Sequence, residues 1–215
     1  MTYYYLIATL PEILPGGLTK DLDVSETIDL ILTNITSEDK SQIRYLLHIN
    51  DNINLINQLH KIKTGKQVYP EASPSYYSTH ELRELLRSKY ELPEYMSDFL
   101  VRFEDQFGSL PLSRIEEGLW HRFHAEVADR CNGFIKAFIH FDMALRTLVS
   151  HTNAKLFPEQ KLDSQLAAGT NQDENEYEEI TGHRDELLEA LESKQPKFIQ
   201  ITMDKIRWEF CDRYE

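Results

Sequence analysis

One stretch constrains the fold of this chain more than any other: Ser113 to His151, SRIEEGLWHRFHAEVADRCNGFIKAFIHFDMALRTLVSH. It contains no proline, and Ser113 with Glu116 three residues on has the form of a capping box. A continuous helix of this length would run roughly 55 Å at about 1.5 Å per residue. Its first half is amphipathic, with Leu119, Trp120, Phe123, Val127 and Cys131 recurring at threes and fours. In its second half, Phe134, Ile135, Phe138, Ile139, Phe141, Leu145, Leu148 and Val149 cover nearly every face. A helix apolar all round is a buried one, so 134–149 is expected to be the most buried segment. Lys136, His140, Asp142 and Arg146 interrupt the run and argue against a membrane span. Asn132-Gly133 is its weak point, because glycine costs about 1 kcal/mol in a helix interior, and a kink or short break is expected there.

Helical signals dominate the remainder. Tyr3-Tyr4-Tyr5-Leu6-Ile7 fits a short strand or one buried helical turn, and Pro15-Gly16-Gly17 fits a turn. Asp23 with Glu26 opens a helix. Ser37 caps a second, and Asp51 caps a third that Gly65 stops, giving a helical hairpin. Pro70, Pro74 and Ser75 mark a loop before a helix capped by Thr79. Pro93 opens the next, striped by Met96, Phe99, Leu100, Phe103 and Phe107 and closed by Gly108. An acidic loop is expected at about 163–180, then helices at about 184–192 and from Pro196 onwards. The last of these runs to Glu215 without a stop signal, which reads as a chain cut short. The expectation is an all-α fold, an elongated multi-helix bundle organised around the long helix at about 113–151. The chain reads as one helical domain over 1–215, or as two lobes, 1–110 and 111–215.

Composition limits the function. A formal charge of −13 over 215 residues disfavours nucleic acid and anionic membranes as partners. Cys131 and Cys211 stand in no metal or redox spacing, and the N-terminus lacks the form of a signal peptide. A cytoplasmic place follows by default. No P-loop, GxGxxG, CxxC, GxSxG or HExxH occurs in the sequence, so no enzyme, cofactor or metal is expected. The nearest to a metal site is Glu117, His121 and His124 on one helix face, a pattern that a solvated or lightly paired polar face also produces and that lacks a fourth ligand from a second segment. Asp142 and Arg146, at i and i+4, can pair within the apolar half as a catalytic acid or as a satisfied core ion pair. Tyr3, Tyr4, Tyr76 and Tyr77 are candidate protein-interaction side chains, because tyrosine is enriched at interface hot spots; ordinary packing is the alternative.

Four segments, in order, carry a resemblance: MTYYYLIATLPEI at the start, LPEYMSDFL at 92–100, FIKAFIHFDMALRTLVSHTNAKL at 134–156 and MDKIRWEF at 203–210. Together they resemble a bacterial family encoded beside V-type ATPase genes, whose members are thought to stand in for the d-type, or AC39-type, subunit of that machine. The strongest parts are the tyrosine-rich opening and the pattern of Phe141, Asp142, Leu145 and Arg146. The resemblance implies a non-catalytic helical component, peripheral at the inner face of the cell membrane. Its implied partners are the central-stalk subunits and the membrane rotor ring. Arg146, Arg207 and Trp208, which lie in the matching motifs, join the tyrosines as candidate contacts. The competing readings are a helical adaptor unrelated to ATPases and a metalloenzyme built on Glu117, His121 and His124.

Overall fold

The computed structural model of the protein describes residues 3–11, 13, 23–88, 91–156, 180 and 182–214. The turn expected at Pro15-Gly16-Gly17 and nearly all of the acidic loop lie outside the described residues. The fold is all-α, with no strand among the described residues. Nine helices are described: α1 (Tyr4–Thr9), α2 (Val24–Asn34), α3 (Ser37–Thr64), α4 (Thr79–Ser88), α5 (Glu94–Phe103), α6 (Leu112–Arg130), α7 (Gly133–Leu156), α8 (Arg184–Glu192) and α9 (Pro196–Arg213). They form two compact units, Met1–Leu92 and Pro93–Glu215. The division falls at Leu92/Pro93 rather than near residue 110, because α5 packs against α6.

In the first unit, Tyr4–Thr9 settles as helix, not strand. The Tyr3 hydroxyl hydrogen-bonds the Asp39 carboxylate, holding its pKa below the usual range with help from Thr36. It also accepts from the Thr36 backbone N–H at 3.1 Å. Asp23 caps α2 as expected, accepting from the N–H groups of Ser25 and Glu26. The hairpin expected over 37–65 does not exist: α3 is one continuous helix, capped by Thr36 rather than Ser37. Asp51 lies mid-helix with its carboxylate turned to a loop, so it caps nothing on α3. The stop at Gly65 holds; its φ of +75° is a left-handed conformation that favours glycine. The capping box of α4 belongs to Ser78 rather than Thr79. Ser78 Oγ accepts from Glu81 N–H at 3.2 Å, and Glu81 Oε2 accepts from Ser78 N–H at 2.8 Å.

In the second unit, the long helix expected at 113–151 is two helices. Cys131 takes an extended conformation and Gly133 a φ of +51°, so the chain breaks at the expected weak point. Ser113 does not cap α6, because the helix begins at Leu112 with Pro111 before it. The start of α5 takes its cap from α6: the Tyr95 N–H donates to the Glu126 carboxylate at 2.9 Å. The aromatic stripe of α5 breaks after Phe103 into a 3-10 turn, Glu104–Gln106, and Gly108 follows at φ +92°. Gly118 lets α5 and α6 approach closely, since a Cβ there would meet the Phe103 ring at 2.5 Å. Phe141, Ala144 and Leu145 of α7 form a core with Ile180, Leu187 of α8, and Ile206 and Phe210 of α9.

Burial does not follow hydropathy here. The segment 134–149 is not the most buried: Phe134 is 36% exposed and Phe138 half-buried, though Leu145 is fully buried. At the start of α7 the rings of Phe134 and Phe138 cluster with those of Phe210 and Tyr214. Among the described residues the most continuous burial lies in α3, from Asn54 to Leu59, and includes Asn54, Asn57 and Gln58.

Candidate functional site

The polar face of α3 explains how so polar a helix is buried. Asn50, Asp51, Asn54, Asn57 and His60 recur at threes and fours and meet the backbone of the loop 66–77. Asn54 donates to the Ala72 carbonyl and accepts from the Ala72 N–H, both at 2.9 Å. Asn57 does the same with Tyr69, at 3.1 and 2.8 Å. Asn50 donates to the Pro74 carbonyl at 2.6 Å, and the His60 ring donates to the Lys66 carbonyl at 2.9 Å. A loop rich in proline cannot satisfy its own backbone, and side-chain amides do it instead.

The ladder ends in an aromatic cluster that contains two of the expected contact residues. Asp51, fully buried, accepts from the backbone N–H groups of Tyr76 and Tyr77 at 3.3 and 3.0 Å and from the His48 ring at 2.8 Å. His48 stacks on Tyr77, and Tyr76 meets both rings edge-on. Burial, the neighbouring Tyr76 and the Asp51 charge push the Tyr77 phenol up to about 12. Tyr77 is therefore a neutral packing group, while Tyr76 is 45% exposed. Tyr3 is engaged with Asp39, and Tyr4 and Tyr5 are 77% and 84% exposed.

In the second unit, the expected pair of Asp142 and Arg146 forms and gains a third member. Arg146 Nε donates to Asp142 Oδ2 at 2.6 Å, and Arg207 Nε of α9 donates to Oδ1 at 2.8 Å. Arg207 also pairs with Asp204 at 2.8 Å. Burial opposes ionisation of Asp142, but the Arg146 and Arg207 guanidiniums outweigh it and hold the carboxyl below its ordinary range. Arg146 further lies 5.8 Å over the Trp120 ring of α6. One carboxylate thus binds α7 to α9, and its arginine reaches α6. Trp208, named with these residues, is half-buried and joins no ring cluster among the described residues.

Glu117, His121 and His124 do not converge. Glu117 pairs with Arg114 at 3.0 Å, and His121 is exposed in a groove of about 810 Å³ beside α5. His124 turns away, stacks on Trp120 and meets Phe123 edge-on. Burial, then the nearby His140, push its pKa down to about 4. Among the described residues, no group of three or more His, Cys, Asp or Glu side chains could hold a metal ion. No described helix is long and apolar enough to cross a membrane.

The asparagine ladder and Arg207 as partner of Asp142 escaped the sequence reading. The first had a signal: asparagine favours caps and turns, so its recurrence at helical spacing asks for backbone partners elsewhere. The second had none, since nothing local links Arg207 to a residue in another helix. The family described as "Protein of unknown function (DUF2764)" matches residues 1–212. No curated protein and no solved structure matches the chain.

Proposed function

The chain belongs to the DUF2764 family, and we propose that it is a non-catalytic component of a bacterial V-type ATPase, of the d-type or AC39-like kind, coupling the central stalk to the membrane rotor ring. The observation that carries this reading is the meeting of Asp142 with Arg146 and Arg207. These residues come from two of the four segments that resemble the ATPase-linked family, and they lock α7 to α9 through a buried carboxylate. A part that transmits torque must resist local unfolding, and a buried, fully partnered ion cluster raises the cost of separating two helices. The exposed Tyr4, Tyr5 and Tyr76 supply aromatic surface for partners. The protein would sit peripherally at the inner face of the membrane, held by the stalk and ring rather than by inserted helix. Confinement by the ring raises effective concentration, so weak binding between isolated parts suffices.

The test is made in the native host. Deletion of the gene should uncouple ATP-driven ion pumping in membrane vesicles, and the stalk proteins should co-purify with the tagged full-length protein. Fully coupled pumping in the deletion strain, with no stalk protein recovered, would make a free-standing adaptor the better reading. The cluster of Glu117, His121 and His124 lends the metalloenzyme reading no support, because Glu117 is held by Arg114 and His124 faces Trp120 instead of joining His121.

A further inference from the structure

The first unit holds a cationic pocket that the coupling role does not use. Ser37, Lys40, Ser41 and Arg44 lie at i, i+3, i+4 and i+7, one face of the first turns of α3. Asp29, Leu32 and Thr33 of α2 form the opposite wall and Tyr76 completes the lining, around a cavity of about 680 Å³. That volume is in the range of small-molecule sites.

Two observations point to an anion. Arg44 Nε is buried and has no hydrogen-bond partner among the described residues. Its guanidinium lies 5.6 Å over the Tyr45 ring, a cation–π contact that gives Nε no hydrogen-bond acceptor. Lys40 forms no ion pair among the described residues either. Elsewhere in this acidic chain, Arg87, Arg114, Arg130, Arg146 and Arg207 each bond a carboxylate. A buried guanidinium N–H without an acceptor is costly, and charge-assisted bonds from a planar arginine fork suit a tetrahedral oxyanion. The hydroxyls of Ser37 and Thr33 add neutral donors, while Ser41 Oγ donates to the Glu38 carbonyl at 2.6 Å. The N-terminus of the long α3 adds a favourable field, although Thr36 already occupies the Asp39 N–H.

Asp29 sharpens the choice. A carboxylate on the wall repels a bare anion but accepts a hydrogen bond from a hydroxyl. Leu32 and Tyr76 offer apolar surface to a carbon skeleton. We infer that this pocket binds the phosphoryl group of a small hydroxylated phosphomonoester, with Arg44 and Lys40 on the phosphate and Asp29 on a hydroxyl.

Isothermal titration of the full chain with ribose 5-phosphate, inorganic phosphate and ribose tests this. Ribose 5-phosphate should bind, ribose should not, and Arg44→Gln and Lys40→Gln should each weaken binding by roughly tenfold or more. Lys40 is exposed, so its variant folds even if the Arg44 variant does not. Asp29→Asn should weaken ribose 5-phosphate while leaving inorganic phosphate equal or tighter. Inorganic phosphate binding as tightly as the ester, with the same loss in Lys40→Gln, assigns the site to the free anion and retains the phosphoryl chemistry. Failure of both phosphates to bind at about 10 mM, or binding unchanged in Lys40→Gln and in any folded Arg44→Gln, overturns it.

Discussion

Helices α3 and α7 solve opposite problems. The sequence of α7 is apolar on nearly every face, yet Phe134 is exposed and several of its side chains are only half-buried. The middle of α3 carries Asn52, Asn54, Asn57 and Gln58, yet it is the most continuously buried segment among the described residues. Burial is set by what covers a helix. Loop 66–77 covers α3 and needs hydrogen bonds for its backbone, so the covering face must be polar. The core-facing side of α7 is covered by α8 and α9, whose apolar side chains need only shape. The buried charge of α7 is Asp142, and it is partnered by Arg146 and Arg207.

The largest expected effect tests the apolar side of that contrast. Leu145→Asp should abolish soluble folding, because the site is fully buried and offers no partner to a new charge. The penalty is comparable with a whole folding free energy of about 5–15 kcal/mol. Soluble expression with a native circular-dichroism spectrum would remove Leu145 from the core.

Next comes the ion cluster. Asp142→Ala should destabilise the protein by about 3 kcal/mol, the low end for breaking a buried pair, because Arg207 keeps Asp204. Arg146→Ala should cost less, since its side chain is 46% exposed. Denaturant titration reads both, and equal costs would mean that Arg146 carries the whole contribution of the carboxylate and Arg207 adds none. The lowered Asp142 pKa makes its contribution present above the unfolded value of about 3.9 and lost as pH falls below it.

His124 acts in a separate window. Its folded pKa of about 4 lies below the ordinary 6.5, so between these values the unfolded chain binds more protons than the folded one. Stability then falls as pH drops from about 6.5 to about 4, by up to roughly 2–3 kcal/mol. His124→Gln should flatten that part of the stability curve while leaving the Asp142 loss at lower pH. A wild-type curve already flat between pH 6.5 and 4 would place His124 in solvent.

Local chemistry made part of this legible. Asp23 and Gly65 fixed helix ends as their types require, and Gly133 broke the long helix where the sequence is weakest. Asp142 and Arg146 paired because i and i+4 adjoin on any helix. Capping was less legible, because two hydroxyl residues in succession, as at Thr36-Ser37 and Ser78-Thr79, leave the phase open by one residue. Asp51 was misread for a related reason: aspartate is a good cap, and the sequence holds no sign that its carboxylate is taken by Tyr76 and Tyr77 backbone. The candidate site rests on tertiary partners such as Arg207, which no local pattern reveals.

The smallest effects belong to the asparagine ladder, and they bear most directly on the contrast between the helices. Asn54→Ala leaves the Ala72 N–H and carbonyl without partners, and Asn57→Ala does the same at Tyr69. The loop can recover part of the loss from water, so each change should cost about 1–2 kcal/mol. The local readout should exceed the global one. Amide exchange at Ala72 and Tyr69 should accelerate, and protease cleavage should appear within 66–77, while α7 keeps its protection. Asn54→Leu sharpens the point. If apolar burial alone held α3, leucine would stabilise it. If the polar face exists to bond the loop, leucine should free the loop as alanine does, because it restores area and no hydrogen bonds. Unchanged exchange at Ala72 in Asn54→Leu would mean that the loop is held by packing, and the distinction drawn between α3 and α7 would fall.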